Sequence, residues 1–132
     1  GLYTHFWRAT PHPALAVFDA ADAFSACTRR LRSNTPLQAL TLLNDQQFFE
    51  LATALAQRVE REGGTHLDEK ITFAFQLCVA RVPSPNERHR LTELFHAQVT
   101  TSTHTTPTAQ HTDAWRTIAR VLLNLDETIT RE

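Results

Sequence analysis

The sequence has few of the residues that tight turns and cross-links require. Its 132 residues include three glycines, two cysteines and no methionine. Glycine is too scarce for a hairpin-rich fold, and no run of alternating apolar and polar residues predicts a strand. Cys27 and Cys78 are too few for a disulfide scaffold and lack the spacing of a zinc site or a haem attachment, although their even number leaves a bridge between them open. We therefore expect an all-α fold and no cofactor in this segment.

The charges are nearly balanced, and long apolar runs are missing. The 13 basic and 14 acidic residues leave a formal net charge of -1, so no general field attracts nucleic acid or an anionic membrane. No apolar run approaches the ~20 residues of a membrane-spanning helix. His89 and His96 are two helical turns apart, too far to share one metal ion without a partner between them, which favours solvated histidines. Because the net charge is close to zero, any recognition of an anion must be local. The oligomeric state stays open.

Apolar residues at three- and four-residue spacing predict a bundle of four to five amphipathic helices in one domain, 1–132. Two capping boxes, each with proline at the first helical position, indicate helix starts at Pro36 and Pro85. The threonine-rich stretch from Thr100 to Thr112 has no apolar period, and we expect an exposed, mobile loop there. The expected helices cover residues 36–62, 68–80, 85–99 and 113–124.

The first helical stripe contains one candidate break, and an irregular segment precedes it. Asn44 and Asp45 compete for backbone hydrogen bonds, so a second helix capped by Asn44 fits the pattern as well as one continuous helix does. Residues 1–35 mix aromatic residues with helix breakers, although Pro13 can open a short helical turn. We expect this segment to wrap irregularly on the bundle, and such segments are where function most often resides.

The basic loop just before Pro36 carries the candidate anion site. Its arginines directly precede a helix whose first N–H groups and macrodipole favour an anion. An architectural interpretation stands beside this one, in which the arginines pair with carboxylates elsewhere in the chain and hold the loop in place. The anion-binding candidates are Arg29, Arg30, Arg32, Asn34 and Thr35, and the alternative carboxylate partners are Asp19, Asp22, Asp126 and Glu132.

Several short strings of residues, taken together, are specific enough to compare this chain with a known family. They are Phe6-Trp7-Arg8 with Pro11-His12-Pro13, Phe18-Asp19-Ala20, Cys27-Thr28-Arg29-Arg30, Arg32-Ser33-Asn34-Thr35-Pro36-Leu37-Gln38-Ala39-Leu40, Leu42-Leu43-Asn44-Asp45, Leu77-Cys78 with Arg81 and Pro83, and Val121-Leu122-Leu123-Asn124-Leu125-Asp126-Glu127. With these strings the chain resembles the PSD-type domain of unknown function, a C-terminal domain of large planctomycete and verrucomicrobial proteins that often carry a planctomycete cytochrome-c segment. The resemblance implies a mostly helical region of a larger periplasmic, cell-envelope or secreted protein, with any haem elsewhere in the parent. The further site candidates that it implies are Trp7, Arg8, His12, Asp19, Asn44, Asp45, Asn124 and Asp126.

Two functions are compatible with these patterns. The chain opens at Gly1-Leu2-Tyr3 without an initiator Met or a signal peptide, so we expect a fragment of a longer protein. The first hypothesis is a structural or interaction module that docks onto other domains of its parent, with the Arg29 to Asn34 loop and the Asn124 to Glu127 turn as the interface. The second is part of a hydrolase or binding site for an anionic or polysaccharide substrate, in which an aspartate is the acid or base and Arg29 or Arg30 holds the anion. The aspartates in question are Asp19, Asp45 and Asp126. No catalytic motif supports the second hypothesis, so the first ranks ahead.

Overall fold

The computed structural model describes residues 5, 7, 9–21, 24, 26, 28, 33–103 and 106–130. Within these residues the chain forms seven helices and no strand, which confirms the all-α prediction. Five of the helices have nine residues or more, in agreement with the expected bundle of four to five. The helices are α1 Pro13–Val17, α2 Pro36–Asn44, α3 Gln46–Glu62, α4 Leu67–Val79, α5 Pro85–Thr101, α6 Pro107–Leu123 and α7 Asp126–Ile129.

The predicted capping boxes begin α2 and α5. The hydroxyl of Thr35 accepts a hydrogen bond from the Gln38 backbone N–H at 3.2 Å, and the Gln38 side-chain oxygen accepts one from the Thr35 N–H at 3.0 Å. Ser84 and Glu87 make the same reciprocal pair at the start of α5. Each box satisfies N–H groups that the first turn of a helix leaves without a backbone partner. These helix starts are therefore set by residues within one turn.

The first helical stripe is broken, but the residue that caps the second helix differs from the prediction. Asn44 is the last residue of α2, and its side-chain amide donates to the Leu40 carbonyl at 3.0 Å. Asp45 has extended backbone angles and accepts from the Gln47 N–H at 2.8 Å, so it is the N-cap of α3. The prediction of Asn44 as the cap was wrong because Asn44 still has helical backbone, whereas an N-cap residue must leave it.

The expected loop from Thr100 to Thr112 is mostly helical, which corrects both its state and the boundary of the last long helix. α5 continues to Thr101, and α6 begins at Pro107 instead of residue 113. Pro107 is at the first helical position, directly after the extended Thr106. The threonine hydroxyls donate to the carbonyl four residues earlier, as Thr112 does to Thr108 at 3.1 Å, so their polarity does not break the helix.

α6 is the central helix and packs against α3, α4 and α5. Its buried face carries Trp115, whose ring centroid lies 5.1 Å from that of Phe95 on α5. Alanines at the buried positions of α3 and α6 leave room for the two helices to approach closely. The cluster of buried residues consists of Ala56, Val59, Ile71, Ala74, Phe75, Leu91, Phe95, Ala114, Trp115, Ile118 and Leu122.

Part of the N-terminal segment, α1 and the residue Phe18 directly after it, lies against this bundle, whereas Trp7 and Phe24 are exposed. The predicted helical turn at Pro13 is α1, and α1 packs on α2. Directly after α1, the ring of Phe18 lies 5.8 Å from that of Phe48 on α3, measured between centroids. The backbone then turns at Asp19, which has a positive φ of 53°. The side chain of Asp19 lies at the amino end of α2, where it accepts hydrogen bonds.

The end of α4 gives a prediction about stability. Ala80 is the C-cap of α4 and has left-handed backbone angles, φ 60° and ψ 18°, a conformation that glycine adopts without the steric cost of a Cβ. We expect Ala80→Gly to raise the free energy of unfolding by about 0.5–1 kcal/mol in urea denaturation. The matched control is Ala97→Gly, at an exposed position within α5, which should lower that free energy by about 0.5–1 kcal/mol. Loss of stability in both variants would contradict this account of Ala80.

Candidate functional site

The predicted anion site is described only in part. Arg29, Arg30 and Arg32, like Arg8, lie outside the described residues, so their convergence on the amino end of α2 stays a prediction. The described residues at this end are Ser33, Asn34, Thr35 and Gln38, together with side chains that reach it from elsewhere. Their hydrogen bonds show which parts of the chain are joined at the start of α2.

Gln38 is the centre of this end of the molecule. Its side chain is 2% exposed, and a buried amide must find hydrogen-bond partners because an unsatisfied one costs about 1–3 kcal/mol. The amide nitrogen donates to the Val17 carbonyl at 2.9 Å and to the Ser33 hydroxyl at 2.7 Å, with the Asp19 carboxylate at 3.4 Å. The Ser33 hydroxyl in turn donates to Asp19. We call Asp19, Ser33 and Gln38 the Gln38 cluster.

The Gln38 cluster explains the positive φ of Asp19. Asparagine and aspartate tolerate left-handed backbone better than other non-glycine residues, since a short polar side chain can bond locally. Here the Asp19 carboxylate accepts from Ser33 and Gln38, which ties the end of α1 to the start of α2. The carboxylate therefore has an architectural role among the described residues. Its partners here are Ser33 and Gln38, and the predicted pairing of Asp19 with the loop arginines stays a prediction.

A second contact brings a distant part of the chain to the same place. The Asn34 side-chain amide donates to the carboxylate of Asp126 at 2.6 Å, although 92 residues separate them. Asp126 is the first residue of α7. Because Ser33 and Asn34 are consecutive and bond to Asp19 and Asp126 respectively, the structure gathers Asp19, Asn34, Thr35 and Asp126 at the amino end of α2. These are four of the predicted site residues.

The other candidates that the structure describes are not part of this group. Asn44 and Asp45 form the turn between α2 and α3, at the opposite end of α2. Trp7 is exposed, with its ring edge-on to His5 at 4.9 Å between centroids. His12 is the exposed residue before α1, and Asn124 ends α6 with a buried side-chain oxygen that has no hydrogen-bond partner.

Arg81 is a junction that the sequence interpretation missed as a site. It follows α4, and its guanidinium forms two hydrogen bonds with Glu87 of α5, at 2.7 and 3.0 Å, and two with Glu127 of α7, at 2.7 and 2.8 Å. The guanidinium carbon also lies 4.8 Å from the ring centroid of Phe75, within range of a cation–π contact. The signal was present, because Arg81 and Glu127 both belong to the strings that resemble the PSD-type domain.

The charges at this junction stabilise one another. Hydrogen bonds from Arg81, and then from Ser84, lower the pKa of Glu87 to about 2. Arg81 also lowers the pKa of Glu127, and the two carboxylates raise the pKa of Arg81 further above its ordinary range. All three groups are thus ionised at neutral pH. Bidentate pairing of this kind is the strongest form of surface ion pair.

A cleft of about 750 Å³ lies between the last turn of α4 and α7. Cys78 carries a free thiol on its wall, and burial raises the pKa of that thiol to about 11, so it is protonated at neutral pH and a poor nucleophile. In the described part of the chain, no three His, Cys, Asp or Glu side chains come together as metal ligands. The lining residues of the cleft are Cys78, Val79, Ala80, Asp126, Glu127, Thr128 and Thr130.

The fold and these contacts together define a helical domain whose buried and paired polar side chains join helices to one another. Among the described residues, no helix is long and apolar enough to cross a membrane. A family model, PSD1, described as "Protein of unknown function (DUF1553)", matches residues 1–95. The match covers more than half of the chain, and the chain belongs to this family. No curated protein and no solved structure matched the chain.

Family membership confirms the resemblance seen in the sequence, and the family description names no activity. The matched range includes the Gln38 cluster, Arg81 and Glu87, whereas α6 and α7 lie beyond it. Both helices nevertheless contact the matched part closely. α6 completes its core and α7 supplies partners to Asn34 and Arg81.

The Gln38 cluster can be tested with one isosteric change. Gln38→Glu keeps the side-chain oxygen that accepts from the Thr35 N–H. It replaces the amide nitrogen, which donates to the Val17 carbonyl and lies near the Asp19 carboxylate, by a second carboxylate oxygen that cannot donate. We expect the variant to be less stable than the wild type by about 2–3 kcal/mol at pH 7. This setting raises the pKa of the new carboxyl in the folded state, so the deficit should shrink as the pH falls toward about 4, where the protonated group can donate.

The control for Gln38→Glu is Gln57→Glu, at an exposed position on α3. Urea denaturation from neutral to acidic pH measures both variants against the wild type. Gln57→Glu should follow the wild type across the range. A pH-independent deficit in Gln38→Glu would contradict the assignment of a donor role to the buried amide.

Replacing Arg81 by methionine tests the charged junction. Hydrogen bonds from Arg81, and then from Ser84, lower the pKa of Glu87 from 4.5 to about 2. The stabilisation is therefore complete above about pH 5 and is lost as the pH falls toward the lower value. We expect Arg81→Met to be less stable than the wild type at neutral pH and to lose less stability on acidification. Part of the acid dependence should remain, because Ser84 also donates to Glu87. The measurement is the urea midpoint at a series of pH values.

Arg90→Met, at an exposed position on α5, is the control for the loss of one positive charge. The urea midpoint of Arg90→Met should fall on acidification by the same amount as that of the wild type. If Arg81→Met and the wild type lose the same stability on acidification, Arg81 is not what holds the Glu87 carboxylate in its ionised form.

Proposed function

We propose that this domain is a structural or interaction module that docks onto another part of its parent protein. The observation that carries this proposal is a row of exposed leucines on α2. Leu37, Leu40 and Leu43 are 58, 57 and 36% exposed. We call these three residues the leucine face. Exposed leucines that adjoin one another are unusual unless a partner covers them.

The spacing of the leucine face makes it continuous. Each leucine is three residues from the next, so neighbouring pairs lie side by side on the helix surface. α2 contains no charged residue along its whole length, PLQALTLLN. Its nine residues extend over about 13 Å at 1.5 Å per residue, the length of a short helix–helix contact. The surface thus suits an apolar partner element of similar length.

The small size of the leucine face favours a partner in the same polypeptide. A stable interface between separate proteins buries about 800 Å² on each partner, well above what three partly exposed leucines offer. A tethered partner needs less, because the linker holds it at an effective concentration in the millimolar range. Under this proposal the parent is a larger periplasmic, cell-envelope or secreted protein, and any haem lies in another segment of it.

The second candidate is part of a hydrolase or binding site for an anionic or polysaccharide substrate. It is favoured by one observation, the anchoring of Asp19 and Asp126 to the consecutive residues Ser33 and Asn34. Paired carboxylates are the groups that glycoside hydrolysis uses. Both carboxylates, however, already accept hydrogen bonds within the fold, which gives them an architectural role. Binding of a sulfated or phosphorylated sugar that Asp19→Asn abolishes would support this second candidate over docking.

The docking proposal predicts that a change to the leucine face matters only in the parent protein. In the isolated chain, Leu37→Gln with Leu40→Gln should change the free energy of unfolding by no more than about 1 kcal/mol, because both side chains are more than half exposed. In the full-length parent the same double variant should lower the melting temperature and speed hydrogen exchange of the α2 amides. Calorimetry and exchange mass spectrometry measure the two effects.

Val82→Gln is the matched control, since Val82 is equally exposed but lies between α4 and α5. It should have little effect in either the isolated chain or the parent. The docking proposal fails if the α2 amides exchange at the same rate in the isolated chain and in the wild-type parent.

A further inference from the structure

We propose that α7 is a latch, held closed by two polar contacts, whose release opens the cleft between α4 and α7. This inference is independent of the proposed docking. It rests on how little of α7 is buried, on the two contacts that hold it, and on the geometry of the segment that connects it to α6.

α7 cannot hold itself in place. It has four residues, none of them fully buried, and a helix of this length is unstable alone in water. Its internal hydrogen bonds are few, with the Thr128 and Ile129 N–H groups both donating to the Leu125 carbonyl, at 2.9 and 3.2 Å. The position of α7 must therefore come from contacts with other elements.

Two polar contacts hold α7 from different directions. Glu127 makes its two hydrogen bonds with Arg81, at the corner between α4 and α5. Asp126 accepts from Asn34, at the amino end of α2. Each contact is charge-assisted but exposed to solvent, which keeps its net contribution to stability small. Contacts of that strength can open and close without unfolding the core.

The segment between α6 and α7 provides a hinge. Asn124 and Leu125 both have non-helical backbone angles, and Leu125 packs against the core. The Thr128 hydroxyl donates to the Leu122 carbonyl at 2.8 Å, which keeps α7 close to the end of α6. A short non-helical segment anchored on one side can absorb the backbone rotation of a moving element.

Opening the latch has a defined consequence for the cleft. One wall is the last turn of α4, with Cys78, and the other wall is α7 itself. When Glu127 leaves Arg81 and Asp126 leaves Asn34, α7 is tied only to the end of α6, through the Thr128 hydroxyl, and once this bond also opens the second wall moves away. The half-buried thiol of Cys78 then becomes more accessible, which provides a chemical probe of the open state.

The test measures the rate at which a thiol reagent modifies Cys78 in the full 132-residue chain. A Cys27→Ser background leaves Cys78 as the single thiol. Glu127→Gln and Asn34→Ala each remove one contact, and Asn34→Ala does so without changing α7. We expect each to raise the labelling rate about fivefold, the change in open population that corresponds to the loss of one strong surface contact, and the two together to raise it further.

Glu62→Gln is the matched control, because Glu62 is a similarly exposed carboxylate paired with Arg58 and Arg61 on α3. It should leave the labelling rate of Cys78 unchanged. The latch is overturned if neither Glu127→Gln nor Asn34→Ala raises the rate. It is equally overturned if the rate rises only in proportion to the equilibrium constant for global unfolding, which urea denaturation measures for each variant.

Hydrogen exchange provides a second readout that needs no change at Cys27. The Thr128, Ile129 and Thr130 amides should exchange faster in Glu127→Gln than in the wild type, while amides within α6 keep their protection. Faster exchange across α6 as well would show that the change loosens the whole fold, and would reject a local latch.

Discussion

Burial of α6 is the constraint on which the rest of the structure depends. Trp115, Ile118 and Leu122 are almost completely removed from solvent, and each lies on the face of α6 that meets α3, α4 and α5. Burying side chains of this size stabilises a domain by about 1.5–3 kcal/mol each. The alanines Ala52 and Ala56 of α3 are also fully buried, so α3 and α6 can pack backbone to backbone at close range. The helices α2, α4, α5 and α7 each contact at least one member of this pair.

Around that core, polar side chains connect helices to one another. Gln38 joins the end of α1 to the start of α2, and Arg81 joins the end of α4 to α5 and α7. Arg120 of α6 donates to the Leu43 carbonyl at the end of α2, at 2.7 Å. In each case a charged or amide group satisfies a partner on a neighbouring element. This use of polar residues suits a module that must keep a defined shape, and the leucine face is the apolar surface that this shape presents to a partner.

The helix starts could be predicted because capping is local. Thr35 and Ser84 bond to residues three positions along, so their role is visible in any short window of sequence. Local reasoning failed where two similar residues competed or where periodicity was absent. Asp45 caps α3 instead of Asn44, and α6 begins at Pro107 inside a threonine-rich stretch. The added turns of α6 have no apolar period, and their threonines are compatible with helix because a hydroxyl can bond within it, as Thr112 does to the Thr108 carbonyl.

The amino-acid sequence by itself determined the all-α class, the capping boxes and the membership of a family, since each depends on residues close together in the chain or on their identities. It also indicated Asp19, Asn34 and Asp126 as residues of interest without indicating that they meet. Only the tertiary structure decided that Asn34 bonds to Asp126 and that Arg81 pairs with Glu127. Those contacts join elements that are distant in sequence, and the packing of α6 against α3 and α5 must bring the elements together before the side chains can bond.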